Sequence, residues 1–185
     1  PLALPPGRNG MAPSVSVNYS SKGGNGSLGI GWSISAGSSI YRCPQTLAQD
    51  DNNHAVDFTN EDRLCLDGQR LISLNADDLQ VGAEYRTEQD SFAKIVQTAA
   101  GFTVYTKSGR KNYYEQQGSQ QTTWQLIKEQ DSFGNGIEYT YEINATNEIL
   151  LKDIRYTVHD NDQNDSKHRT VTFHYGDRGK AYGMK

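Results

Sequence analysis

The chain lacks a charge bias, a long hydrophobic run and all but two cysteines in 185 residues, and each shortage removes a class of function. Its 18 basic and 22 acidic side chains are spread along the sequence for a net charge of −4. No basic stripe is left to neutralise a phosphate backbone, so nucleic acid is not expected as a partner. No apolar run approaches the ~20 residues that cross a bilayer, and no membrane contact is expected of this segment. A secretory leader is not visible, which says nothing about export in a chain that begins at Pro1. The Walker A sequence, the G-x-S-x-G elbow and any Glu-x-Glu pair are missing as well.

The four histidines, His54, His159, His168 and His174, have neither zinc nor metalloprotease spacing, so no metal and no cofactor are expected. His174 alternates with Val171, Phe173 and Tyr175 and reads as a polar-face residue of a strand. Cys43 and Cys65, with His54 between them, are the remaining raw material for a nucleophile and its base. Neither cysteine sits at a predicted helix N-terminus that would lower its pKa, and a structural disulfide or two buried thiols is the better reading. The sequons at Asn18, Asn25, Asn144 and Asn164 are what a chain rich in Asn, Ser and Thr produces by composition.

What the sequence does contain is glycine, tyrosine and alternation, with 18 Gly and 11 Tyr. Residues 24–31, "GNGSLGIG", fit G-x-G-x-x-G, the fingerprint of a dinucleotide-binding turn. That chemistry needs a buried strand before the glycines and a helix opening after them, its free N–H groups aimed at a pyrophosphate. Upstream, "SVSVNYS" alternates as a half-exposed strand does. Downstream, "GWSISAGSSIYR" has no 3.6-residue period and places Trp32 and Ile34 two apart. Asp50 and Asp51 lie near the ribose-binding spacing but sit in the polar run "QDDNN". The expectation is a glycine-rich turn between strands that binds no nucleotide.

Period-two blocks recur along the rest of the chain. "RLCLDGQRLISL" carries Asp67-Gly68, a type I′ signal between two strands. "FTVYTKSGRKNYYE" repeats the arrangement around Ser108-Gly109. In "TTWQLIKEQDSFGNGIEYTYEIN" a longer turn at 131–135 leads into a strand with Ile137, Tyr139, Tyr141 and Ile143 on one face and Glu138, Thr140 and Glu142 on the other. Further strands are expected at 92–98, 149–158 and 170–175, and only residues 75–85 have room for a short helix, limited by Gly82. The predicted fold is all-β: a meander of roughly 10 to 12 strands of the usual length, in antiparallel hairpins that form a curved, partly open sheet, with a β-sandwich as the alternative.

The opening "LALPPGRNGMAPSVSVNYSSKGGNGSLGIGWSISAGSSIYRCP" closely resembles the signature of the SpvB-type N-terminal domain, found in virulence-plasmid B proteins and in B components of insecticidal toxin complexes. "DRLCLDGQRL", "GAEYRTEQDSFAKI" and "DSFGNGIEYTYE" continue the resemblance. The last is similar to the D-x-x-G-N-x-x-x-Y-x-Y core of Rhs/YD repeats through Asp131, Gly134, Asn135, Tyr139 and Tyr141. The resemblance implies a non-catalytic wall segment of a secreted bacterial toxin, part of a β shell that encloses a toxic C-terminal polypeptide. It implies partners in the remainder of the toxin chain or a C-type component, and in a channel-forming component. Residues 1–185 would be the N-terminal portion of a domain that continues further, and export makes a Cys43–Cys65 disulfide the expected state of the two thiols. A binding-class alternative is an extracellular adhesive or carbohydrate-binding β domain, with Trp124 and the tyrosines as stacking platforms.

Overall fold

The computed structural model describes residues 1–26, 28–74, 79–119, 122–161 and 168–176, with the side chains of 25 and 26 left aside. The chain opens with an irregular segment and then a ribbon, in which β1 (Ser16–Tyr19) pairs antiparallel with β4 (Trp32–Ser35), and β2 (Asn25–Gly26) with β3 (Gly29–Ile30) at the tip. Eight strands follow: β5 (Ser39–Cys43), β6 (Arg63–Leu66), β7 (Gln69–Ser73), β8 (Glu84–Thr87), β9 (Lys94–Gln97), β10 (Gly101–Tyr105), β11 (Lys111–Gln116) and β12 (Thr123–Gln130). A single turn of helix, α1 (Leu47–Asp50), lies between β5 and β6. The expected short helix falls partly on 75–78, outside the described residues; Leu79 to Gly82 form turns and bends.

Each of the eight strands pairs antiparallel with the next, and β12 then returns to β5 through Thr123–Tyr41, Trp124–Ile40 and Gln125–Ser39. The sheet is therefore a closed eight-stranded barrel, which corrects both the partly open sheet and the sandwich read from the sequence. The physical reason is twist: short twisted strands that hide one face curl, and closure supplies partners to the edge N–H and C=O groups that an open sheet leaves bare. Alternation along each strand sends Ile40, Leu64, Leu71, Tyr85, Ile95, Phe102, Val104, Tyr114, Trp124 and Leu126 into one core. Phe102 is edge-on to both Tyr85 and Trp124, with ring centroids 6.1 and 5.0 Å apart. Gly101, at φ 153°, gives β10 its close approach there, because a Cβ would strike the Tyr114 backbone and the Trp124 ring.

β12 is long enough to do two jobs. Its first residues close the barrel on β5, while Lys128, Glu129 and Gln130 pair with Glu138, Ile137 and Gly136 of β13 (Asn135–Ile143). From this fork β13, β14 (Ile149–His159) and β15 (Arg169–Thr172) leave as a wing. β14 has two residues more than the register of β13 accommodates, and the extra ones, Lys152 and Thr157, form bulges; Thr157 sits at φ 69°. Wing residues Ile137, Tyr139, Ile154 and Tyr156 and N-terminal residues Met11 and Val15 join the barrel core as one cluster. The N-terminal segment is strapped to the wing: the Tyr156 hydroxyl donates to Pro5 O (3.2 Å), and Arg169 donates to Pro6 O. Among the described residues no helix is long and apolar enough to cross a membrane.

Candidate functional site

The fork between barrel and wing gathers the residues that the sequence singled out. Asp131 ends β12 and organises the turn: Oδ1 accepts the N–H groups of Phe133 (2.9 Å) and Asn135 (2.9 Å), and Oδ2 accepts the side-chain amides of Asn135 (2.8 Å) and Asn9 (3.0 Å). Burial pushes this carboxyl up, but the hydrogen bonds from Asn135, Asn9 and Phe133 together outweigh it and hold the pKa at about 2. Gly134 takes φ 85°, a value an L-residue resists, and its carbonyl accepts Asp160 N (3.1 Å). The D-x-x-G-N run is thus a self-contained side-chain-capped turn.

Two residues of the return strand reach back over the barrel. The Tyr139 hydroxyl donates to Glu129 Oε1 (2.5 Å), and the Tyr141 hydroxyl donates to Leu126 O (2.8 Å). A third hydroxyl, Tyr114, is 2.9 Å from Ser38 Oγ, which donates in turn to Asp67 Oδ2 (2.5 Å). Burial raises all three phenols, the Glu129 carboxylate raises Tyr139 further, and Tyr114 is pushed up to about 12. At neutral pH they are hydrogen-bond donors, each committed to an acceptor. Tyr114 and Tyr139, with Glu129, Asp67 and Asn112, line a cleft of about 370 Å³ at this end of the barrel. The arrangement ties β13 to β12 and offers no activated nucleophile.

Cys43 and Cys65 form a disulfide with their Cα atoms 6.0 Å apart, on the sheet face opposite Ile40 and Leu64. Neither sulfur is free as a nucleophile for which His54 would be the base. Beside it, Asp50 bridges Arg63 (2.8 Å) and the buried Arg70 (2.9 Å), and Arg70 also donates to Pro44 O (3.1 Å). Burial raises the Asp50 carboxyl, yet the Thr46 N–H and the two guanidiniums bring it below the usual carboxylate range. This side-chain web closes the 43–65 loop over the barrel wall.

One group has the composition of a metal site: ligand atoms of His54, Asp57 and Asp62 lie within 4.8 Å of one another. Asp62 is already spent on structure, accepting Asp57 N (3.0 Å), Phe58 N (2.9 Å) and the Arg42 guanidinium (2.8 Å). A cation there would face that guanidinium, so the chemistry favours a braced loop over a metal centre. The glycine run proves to be the ribbon tip. Gly31, at φ 80°, lies where a Cβ would strike the Tyr19 ring, and β4 follows it directly. No helix opens after the glycines to cradle a pyrophosphate. His174 is exposed, and Trp124, offered as a stacking platform, is buried against Phe102. The sequence reading missed Ser38, Tyr114 and Glu129 as partners of the fork; "RKNYYE" has polar residues on both faces, so it neither picks Tyr114 over Tyr113 as the inward one nor reveals what faces it.

The family described as Salmonella virulence plasmid 65kDa B protein, SpvB, matches residues 1–78. No curated protein matches the chain. Among solved structures, the N-terminal domain of effector protein SpvB from Salmonella typhimurium strain LT2 superposes with a TM-score of 0.56 at 19% identity, over 80% of this chain and 60% of that one. TcdB2-TccC3 without its hypervariable C-terminal region gives 0.61 at 19% identity, over 94% of this chain and 10% of that one. A Photorhabdus luminescens Tc holotoxin pore gives 0.58 at 20%, over 81% and 9%. The chain thus spans just over half of the SpvB domain structure and about a tenth of the toxin-complex chains that share its fold. The first 78 residues match the SpvB family's model, and the chain as a whole is similar in fold to the SpvB N-terminal domain and to a portion of the TcdB2-TccC3 chains.

Proposed function

We propose that this chain is a non-catalytic structural module of a secreted bacterial toxin, the N-terminal portion of a longer domain in a β shell that encloses a toxic polypeptide. The observation that carries the reading is the fork at β12. A barrel complete in itself has no need of a third partner for one strand, yet β12 feeds a three-stranded wing whose last strand, β15, pairs only with β14 among the described residues. Such an edge recruits further strands. The remainder of the toxin chain or a C-type component would supply them, and a channel-forming component would dock on the finished shell. Tyr114 and Tyr139 support this reading because their rings are buried and their hydroxyls engaged inside the protein, which withholds them from a glycan.

Hydrogen exchange tests it. Amides of β15 and of its partner residues Asp153, Ile154, Arg155 and Tyr156 should exchange more slowly in the full-length toxin chain than in the 185-residue chain. Equal protection in a monomeric 185-residue chain would show a self-sufficient domain and count against the shell.

A further inference from the structure

The ribbon of β1 and β4 is amphipathic, and much of its apolar side is left exposed. Residues directly opposite share a face, so Val17, Ile34, Tyr19 and Trp32 form one side, and Ser16, Ser35, Asn18 and Ser33 the other. Asn18, Ser33, Ile34 and Ser35 line an open cleft beside Gln125 and Tyr141, and Asn18, Ser33 and Ser35 remain exposed there. On the apolar side Ile34 is half-buried, but Val17 is 43% exposed, Tyr19 61% and Trp32 45%, and the tip adds Leu28 at 41% and Ile30 at 74%. Tyr19 and Trp32 pack on each other, ring centroids 5.0 Å apart, and among the described residues on no other ring. A two-stranded ribbon alone is marginally stable in water, and an exposed apolar patch on it marks a contact surface.

The size and charge of the patch select its occupant. Half-exposed side chains of this kind present on the order of 400 Å² together, about half of what each partner contributes to a stable dimer. A second copy is therefore too small a reward, whereas a surface held nearby in the same assembly needs no such area, because its effective concentration is high. Lys22 is the only charged residue between Ser16 and Ser35, and no Asp or Glu occurs before Asp50. A single lysine falls short of the basic cluster that recruits anionic lipid. This fold occupies 9–10% of the TcdB2-TccC3 chains, so the rest of such a chain is the available neighbour.

We propose that the ribbon is a docking arm whose exposed Val17–Tyr19–Trp32 face seats on an uncharged, apolar sheet face elsewhere in the same toxin shell. The proposal rests on the shell reading but uses a surface separate from the β15 edge. Hydroxyl-radical footprinting of the full-length toxin chain, beside the 185-residue chain, tests it. Modification of Tyr19 and Trp32 should fall several-fold in the full-length chain, and amides of β1 and β4 should slow about tenfold. Trp124, buried in both, is the control. Trp32→Ser should leave the melting temperature of the 185-residue chain unchanged yet restore Tyr19 modification in the full-length chain. Unchanged Tyr19 and Trp32 reactivity alongside newly protected β15 amides would overturn the arm and leave the shell standing. Protection that rises with concentration of the 185-residue chain, or on adding anionic vesicles, would overturn it in favour of self-association or lipid.

Discussion

The barrel and the wing are made of the same short antiparallel strands, yet they end their hydrogen bonding differently. Every barrel strand from β5 to β12 has a neighbour on both sides, whereas among the described residues β15 at the end of the wing pairs only with β14. Their cores do not differ in the same way, since Ile154 and Tyr156 of the wing are as buried as Ile95 and Phe102 of the barrel. What separates the two regions is backbone pairing, and what unites them is one apolar cluster. In the proposed shell such an edge would be the joint with the next strand.

The largest effect should come from the shared core. Phe102→Ala removes the ring between Tyr85 and Trp124 and should cost about 3–5 kcal/mol. Ile154→Ala, on the wing, should cost about 2–5 kcal/mol and move the denaturation midpoint read by far-UV circular dichroism as much as that read by Trp124 fluorescence. A Trp124 transition that stays put while dichroism shifts would show that the wing unfolds alone, and the single cluster would not be a single cooperative unit.

The disulfide belongs to the barrel alone. Its 22-residue separation gives about 3 kcal/mol in the chain-entropy account, so Cys43→Ser with Cys65→Ser should lower stability by about that much. Limited proteolysis should then cut first within the loop from Pro44 to Asp62, where α1 and its Asp50–Arg70 pair hang on the staple. Cleavage appearing first in the wing would break the assignment of the bond to the barrel.

Much of this was legible in the residues. Asp67-Gly68 announced its hairpin, and both residues do take positive φ, 48° and 87°. The alternation of Ile137, Tyr139 and Tyr141 marked a strand face, because period two is written by side chains that one strand must hide. Closure was not legible. It depends on Trp124 meeting Ile40 across 84 positions, and nothing in either residue's neighbours names the other. The bulges at Lys152 and Thr157 escaped for a related reason: a bulge is a mismatch between two strands, visible only when their lengths are laid side by side. Tyr139 and Tyr141 were noticed as part of a repeat motif, but Glu129 and Leu126, the acceptors they need, carry no motif of their own.

A smaller effect should appear at the turn between the two regions. Asp131→Ala leaves the N–H groups of Phe133 and Asn135 without their acceptor and loosens Asn9, for a cost of about 1–2 kcal/mol. The pH dependence has a definite sign. Folding lowers this pKa to about 2 from 3.8, so the carboxylate's contribution is fully present above about pH 4 and fades as pH falls toward 2. Asp131→Asn should flatten that part of the acid-unfolding curve. An unaltered acid limb in the variant would place the acid sensitivity on other depressed carboxyls, such as Asp50 or Asp160.

The smallest effect asks whether charge helps to hold the wing on the barrel. Glu138 of β13 stands between Lys128 of β12 and Arg155 of β14 in register, and its carboxylate is 3.5 Å from the Arg155 guanidinium. Both side chains of that pair are a third exposed, so solvent screens them and side-chain entropy opposes them. Glu138→Gln should therefore cost about 0.5 kcal/mol or less, and the difference should vanish in ~1 M salt, where the screening length shrinks to about 3 Å. If the loss instead exceeded about 1 kcal/mol and survived high salt, screening could not account for it. The wing would then owe its place to a desolvated charge pair across β12, β13 and β14, and the continuous apolar cluster would be the lesser part of the joint.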